Sequence, residues 1–376
     1  MIMPFLPLYL KELGVKGEHE LAMWAGAIFA ANFITAFLFQ PIWGKLSDRY
    51  GRKVMLLRSG FGMAAVMVLM GFSQTAWQLF ALRMLNGVIS GFNPAAIALI
   101  SATAPKNRMG FALGTLQSGT VAGTILGPLI GGVMADAFGF RPIFYITGSL
   151  LLVATLLVMF LVREKFDREK AAAQPSMSVL KGYSELRVIR QLPALFSVTF
   201  VIQFAFLSAL PIMPLYVEKI HGTTANLAFL AGLVGSITGF SNMAASPLLG
   251  RLSDRIGAHK VLLVSLIGGA ITFIPQAFAT ELWQLFAARF VLGIFMGGLI
   301  PSVNSLIRKY TPDGMESRAY GFNSSFLSLG NMVGPTVGGV LSGWTGFSGV
   351  FLLSAALLLL NGAWVYTFTR AMAKPS

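Results

Sequence analysis

The residues best placed to do chemistry sit in two matched loops. Gly44-Lys45-Leu46-Ser47-Asp48-Arg49-Tyr50-Gly51-Arg52-Lys53 returns 206 residues later as Gly250-Arg251-Leu252-Ser253-Asp254-Arg255-Ile256-Gly257. An acid beside basic residues, bracketed by turn-forming glycines, can pair with an arginine and face the positive end of a neighbouring helix. It cannot act as a nucleophile–base pair. There is no cysteine, and His19, His221 and His259 lie outside the apolar segments, which argues against thiolate chemistry and a usual zinc site. No Gly-x4-Gly-Lys-Ser/Thr occurs, so no P-loop holds ATP. The chain is read as having no catalytic residue, no metal and no cofactor, and as not being an enzyme.

A second group of polar residues lies inside apolar segments. Asn86, Ser90 and Asn93 follow Arg83 at i+3, i+7 and i+10, which gives one helix a polar face. A charge at the centre of a spanning helix costs about 2.5–3.5 kcal/mol on insertion scales, so Arg83 is read as facing a cavity rather than snorkelling outward. Arg58, near a segment end, is read as snorkelling. Gln117, Gln203, Asn242, Asn304 and Asn323 lie well inside segments and are open to either reading, helix–helix contact or ligand contact.

Spanning helices must position these groups. The chain is 55% hydrophobic and 11% charged, with a mean hydropathy of +0.73. Complete apolar segments fall at 21–43, 54–73, 77–100, 110–135, 141–162, 194–216, 227–248, 261–279, 283–307, 320–342 and 346–367, with an incomplete one at 1–10. All Lys and Arg except Lys11, Lys16, Arg141, Lys219, Arg58, Arg83 and Arg289 lie in loops or ends on one side of this pattern. The positive-inside rule makes that side cytoplasmic, and the net charge of +14 becomes a topology signal rather than a nucleic-acid footprint.

The two halves repeat. Trp77-Gln78-Leu79-Phe80-Ala81 returns as Trp283-Gln284-Leu285-Phe286-Ala287, and Arg83, Gly87 and Gly91 return as Arg289, Gly293 and Gly297. Gly123, Gly127, Pro128, Gly131 and Gly132 match Gly330, Gly334, Pro335, Gly338 and Gly339, and Pro7-Leu8-Tyr9 matches Pro214-Leu215-Tyr216. The division expected is an N-terminal bundle at 1–162, a cytoplasmic linker at 163–193 and a C-terminal bundle at 194–376. The last match puts Met1 inside a first helix, with about fourteen residues expected to precede it.

These motifs resemble the major facilitator superfamily, in its twelve-helix bacterial drug:proton antiporter branch, over the whole chain. The loop is the superfamily signature, the Gly- and Pro-rich segment 110–135 resembles the antiporter signature, and Pro4-x-x-Pro7 resembles the first-helix motif of the exporters. The resemblance implies an all-α membrane protein of two six-helix bundles related by a pseudo-two-fold axis along the membrane normal, the first helix being truncated. It makes Gly44, Asp48, Arg49, Gly51, Arg52, Gly250, Asp254 and Arg255 a cytoplasmic latch. The second copy is expected to latch less tightly, because Ala258-His259-Lys260 replaces Arg52-Lys53. It also makes Gly119, Gly123, Gly127, Pro128, Gly131 and Gly132 a close-packing face that seals against leak.

The function implied is that of a secondary transporter exporting small amphiphilic compounds by proton-coupled alternating access. The expected setting is a monomer in the plasma (inner) membrane, multi-pass, with a cytoplasmic C-terminus; its partners are a small-molecule substrate, protons and the lipid bilayer, and not nucleic acid. The second reading is a carrier of the same fold for one metabolite or sugar. No buried carboxylate is visible to couple protons. An acid preceding Met1, or Glu218 at a helix end, is the candidate.

Overall fold

In hydrocarbon every backbone polar group must be bonded within the protein, so an apolar chain of this kind spans as helices. The computed structural model describes residues 6–16, 18–164, 166, 178–209, 212–221 and 227–372, and their regular structure is helical throughout. The order is α1 (Leu6–Glu12), α2 (Glu18–Tyr50), α3 (Arg52–Gly71), α4 (Ala76–Ile89), α5 (Phe92–Thr103), α6 (Met109–Phe138), α7 (Phe140–Leu161), α8 (Val179–Val188), α9 (Gln191–Ser208), α10 (Met213–His221), α11 (Leu227–Ile256), α12 (Ala258–Ala277), α13 (Leu282–Tyr310) and α14 (Glu316–Met372). Among the described residues, eight helical runs are long and apolar enough to cross a membrane. The segments expected at 320–342 and 346–367 are two helices that meet at Gly346, whose φ is 70°, and are taken together as α14. The segment expected at 77–100 is two helices, α4 and α5.

Each signature loop is a single residue long. Gly51 (φ 101°) joins α2 to α3 and Gly257 (φ 99°) joins α11 to α12. Side chains other than glycine rarely adopt that backbone, so the two helices can turn in one residue only with glycine there. The expected helices therefore run through most of the motif, and Asp48 and Asp254 sit in the last turns of α2 and α11.

The chain folds into two compact units that are not contiguous in sequence. The first holds residues 1–103, 124–185 and 312–328; the second holds 104–123, 186–311 and 329–376. Each is completed by a helix start from the opposite sequence half. In the first unit α2 packs on α4 and α3 on α7. Its core joins Tyr9, Leu10, Ile28, Met70, Leu79 and Phe144. In the second unit α13 packs on α11, α12 and α9.

The repeat survives in the cores. Tyr9, fully buried, lies 3.1 Å from the Ser73 hydroxyl, with its ring 5.2 Å from that of Phe144. Its counterpart Tyr216 donates to the Gln276 carbonyl at 2.6 Å, with its ring 5.3 Å from that of Phe351. A buried phenol needs a partner for its hydroxyl, and each tyrosine finds one at the far end of the helix that follows its signature loop.

Candidate functional site

An aspartate in the last turn of a helix faces the negative end of its own macrodipole, a poor place for it unless another helix compensates. Each signature aspartate has that compensation. In the first unit the Asp48 carboxylate accepts the backbone N–H groups of Ser317 (2.8 Å) and Arg318 (3.0 Å), in the first turn of α14. In the second, Asp254 accepts those of Gly110 (2.6 Å) and Phe111 (2.9 Å), in the first turn of α6. These amides have no acceptor within their own helices. Each carboxylate thus fixes two of them and opposes the positive end of the helix.

Backbone contact brings the pairs together. A Cβ on Gly44 would lie 2.5 Å from the Ser317 carbonyl oxygen, and one on Gly321 would lie 2.7 Å from that of Gln40. In the second unit Gly250 and Gly110 meet backbone to backbone, and Gly114 abuts the Ser246 carbonyl. Ser317, Gly321 and Gln40 are the repeat equivalents of Gly110, Gly114 and Ser246, so one crossing is built twice.

The first unit adds charges to its crossing. Arg52 donates through Nη2 to Glu316 at 3.0 Å and lies 3.8 Å from Glu164 through Nη1. Glu164 also accepts the backbone N–H groups of Arg52 (3.1 Å) and Lys53 (2.8 Å), which caps α3. Arg318 Nε stands 3.8 Å from Asp48. Tyr183 of α8 packs its ring 5.2 Å from that of Phe322, so α8 adjoins the same helix start. In the second unit Ala258 stands where Arg52 stands and Phe111 where Arg318 stands; Arg251 lies over the Phe111 ring at 4.3 Å.

Comparison with known proteins identifies the family. Residues 1–245 and 195–376 match the family model described as Major Facilitator Superfamily. The chain belongs to that superfamily. It is 42% identical to the multidrug resistance protein MdtG of Citrobacter koseri over 370 residues, 98% of this chain and 91% of that one. It is 41% identical to the MdtG of Salmonella typhimurium over the same shares. Two solved structures share the fold: the human organic anion transporter MFSD10 (TM-score 0.80, 18% identity, 96% of this chain and 89% of that one) and the fucose:proton symporter FucP of E. coli (TM-score 0.78, 16% identity, 97% and 94%). The chain is therefore an integral membrane protein with the major facilitator fold.

Other predicted residues fall differently within this superfamily fold. Arg49 and Arg255 are exposed, so Arg52 and Arg318 supply the charge at the first crossing. The polar face running from Arg83 is interrupted: α4 ends at Ile89, Ser90 bonds back to the Gly87 carbonyl, and Asn93 is exposed on α5. Arg83 and Asn86 are buried, and Asn86 donates to Asn32 at 2.8 Å. Gln117 and Gln203 are half-buried, Asn242 accepts from Ser246 at 3.0 Å, and Asn304 and Asn323 are buried.

Arg58 does not snorkel. It lies 3.4 Å from the Trp43 ring centroid and donates to the Ile89 carbonyl at 3.1 Å, while Trp43 donates to the Val88 carbonyl at 2.5 Å. These carbonyls lie at the C-terminal end of α4, where the break before α5 leaves acceptors free.

The glycine face also shifts. Among the described residues nothing lies within 4 Å of a Cβ built on Gly119 or Gly123. The close approaches on α6 are at Gly110 and Gly114, where the helix meets α11. Gly127 and Gly131 are buried; the side-chain surroundings of Pro128, Gly132 and Glu218 lie outside the described residues. Sequence reasoning missed Glu164, Glu316, Arg318, Gly110 and Gly114. Glu316 carried a signal, an acid in the first turn of a helix.

Proposed function

We propose that the chain is a proton-coupled exporter of small amphiphilic compounds in the inner membrane, working by alternating access, with its signature loops and C-terminus cytoplasmic. One observation carries the reading: each signature aspartate clamps the first-turn amides of a helix from the opposite sequence half. An element held by a few charge-assisted bonds at a helix end is bistable, since those bonds can be made or released as a set. Release of both crossings opens the cytoplasmic side; remaking them closes it. The proton and the drug act by binding the two states unequally, each shifting the balance by its differential affinity.

The efflux reading is also supported by identity to MdtG proteins over nearly the whole chain. Arg83 beside the Asn86–Asn32 pair is the favoured polar site for coupling in the first unit. The test is expression in a host stripped of its own exporters, scored against a panel of unrelated toxic amphiphiles, with drug-driven proton release in vesicles from the same cells. Protection against several compounds, with proton release, is expected. Growth effects confined to one nutrient, or export without proton movement, would reject the proposal.

A further inference from the structure

The second unit contains a buried cation that the proposed mechanism does not use. Arg289 is 3% exposed on α13, and among the described residues none accepts a hydrogen bond from its Nε or its Nη2. Buried polar groups in folded proteins nearly always have partners, so such a group needs a reason. Arg289 is the repeat equivalent of Arg83, but its surroundings differ. Leu292 replaces Asn86, and Thr238 replaces Asn32. Thr238 presses its carbonyl against Gly293, one turn along α13 from Arg289, and its own buried hydroxyl also has no partner among the described residues.

The two unpartnered nitrogens lie on one edge of the guanidinium. Nε–H and the adjacent Nη2–H point the same way in one plane, at the spacing of two carboxylate oxygens. A single unpartnered nitrogen would suit a carbonyl or a water. A whole edge suits a planar acceptor with two oxygens. The acid nearest in sequence, Glu281, is engaged two turns away at the N-cap of α13.

We propose that Arg289 is a carboxylate-recognition site: its Nε–Nη2 edge takes both oxygens of the carboxylate of an anionic or zwitterionic amphiphile during transport. The proposal rests on the export reading and names the cargo class for it. As Arg289 is sealed in this conformation, a substrate reaches it when the surrounding helices part, as alternating access requires. A carboxylate swung in from the chain itself would satisfy the same edge, and the test separates the two sources.

The full chain is purified, and binding is read by tryptophan quenching with two matched pairs: norfloxacin and its methyl ester, and dansyl-undecanoic acid and its methyl ester. In the unaltered protein each acid should bind at least about tenfold more tightly than its ester, the value of one charged hydrogen-bonded contact. Arg289→Met should erase the preference, weakening acid binding at least about tenfold more than ester binding. Arg289→Lys keeps the charge without the fork and should retain part of it. Equal binding of acid and ester, or a preference that survives Arg289→Met, overturns the proposal. So does equal loss of acid and ester binding in Arg289→Met, the result expected if the chain's own carboxylate uses the edge. If Arg289→Met fails to accumulate, the acid–ester ratio of Arg289→Lys against the unaltered chain decides. Cells that survive the toxic panel while their exporter shows no acid preference refute this site alone; cells that gain no protection refute the export reading with it.

Discussion

Replacing Asp48 by Asn keeps the side-chain size and removes its charge. One amide oxygen can still accept from Ser317 or Arg318, but the amide nitrogen must face the other N–H, donor against donor. A hydrogen bond to a charged group contributes about 1.5–3 kcal/mol, and a partly buried charge at a helix end up to about 2 kcal/mol. The two effects share one carboxylate and do not simply add. A shift of about 2–4 kcal/mol follows, or about 30- to 1,000-fold in the ratio of latched to open protein. Asp254→Asn loses the same kind of amide bond, but Phe111 and Ala258 stand where the first crossing has Arg318 and Arg52, so its shift should be smaller.

The chain has no cysteine, which makes accessibility a clean readout. Ser47 is 2% exposed beside Asp48. A Ser47→Cys variant in inside-out vesicles should react with a membrane-impermeant maleimide at least about tenfold faster when Asp48→Asn is added, with transport falling sharply and membrane abundance little changed. The reasoning is refuted if the labelling rate stays constant while transport is lost, or if Asp48→Asn and Asp254→Asn abolish accumulation equally.

Arg52→Gln and Glu316→Gln should couple in a double-mutant cycle by about 1–3 kcal/mol in thermal stability, since the pair is close and largely buried; additive effects would remove Arg52 from the crossing. Gly44→Val should block transport, because its Cβ would overlap the Ser317 carbonyl. Gly123→Ala should not lower the melting temperature, because among the described residues nothing lies within 4 Å of its Cβ, yet should slow transport if that face seals the protein in another state. Arg58→Leu should cost about 1–3 kcal/mol in stability by leaving the Ile89 carbonyl without its charged donor, and a melting curve identical to the parent's would show that the α4 break does not depend on it.

Most of the spanning segments, the membrane class, the duplication and the matched placing of Asp48 and Asp254 were legible in the sequence, because hydropathy, turn glycines and repeats are local signals; the segments expected at 77–100 and 194–216 are each two helices. The azimuth of each side chain was less so. Arg49 follows Asp48 by one residue, which is about 100° around the helix, enough to turn it to solvent while Asp48 faces α14. The partner of Asp48 lies 269 residues away, and no local pattern names it. The break between α4 and α5 shows the same limit. Gly91 and Gly297 are repeat equivalents, yet α13 runs unbroken through Gly297. In the first unit Trp43 and Arg58 reach across from other helices to satisfy the carbonyls at the break, and Leu249 and Val264, which replace them in the second, cannot donate. Tertiary structure decided which helix starts complete which unit and where a spanning helix breaks, because both depend on donors and acceptors brought together from distant parts of the chain.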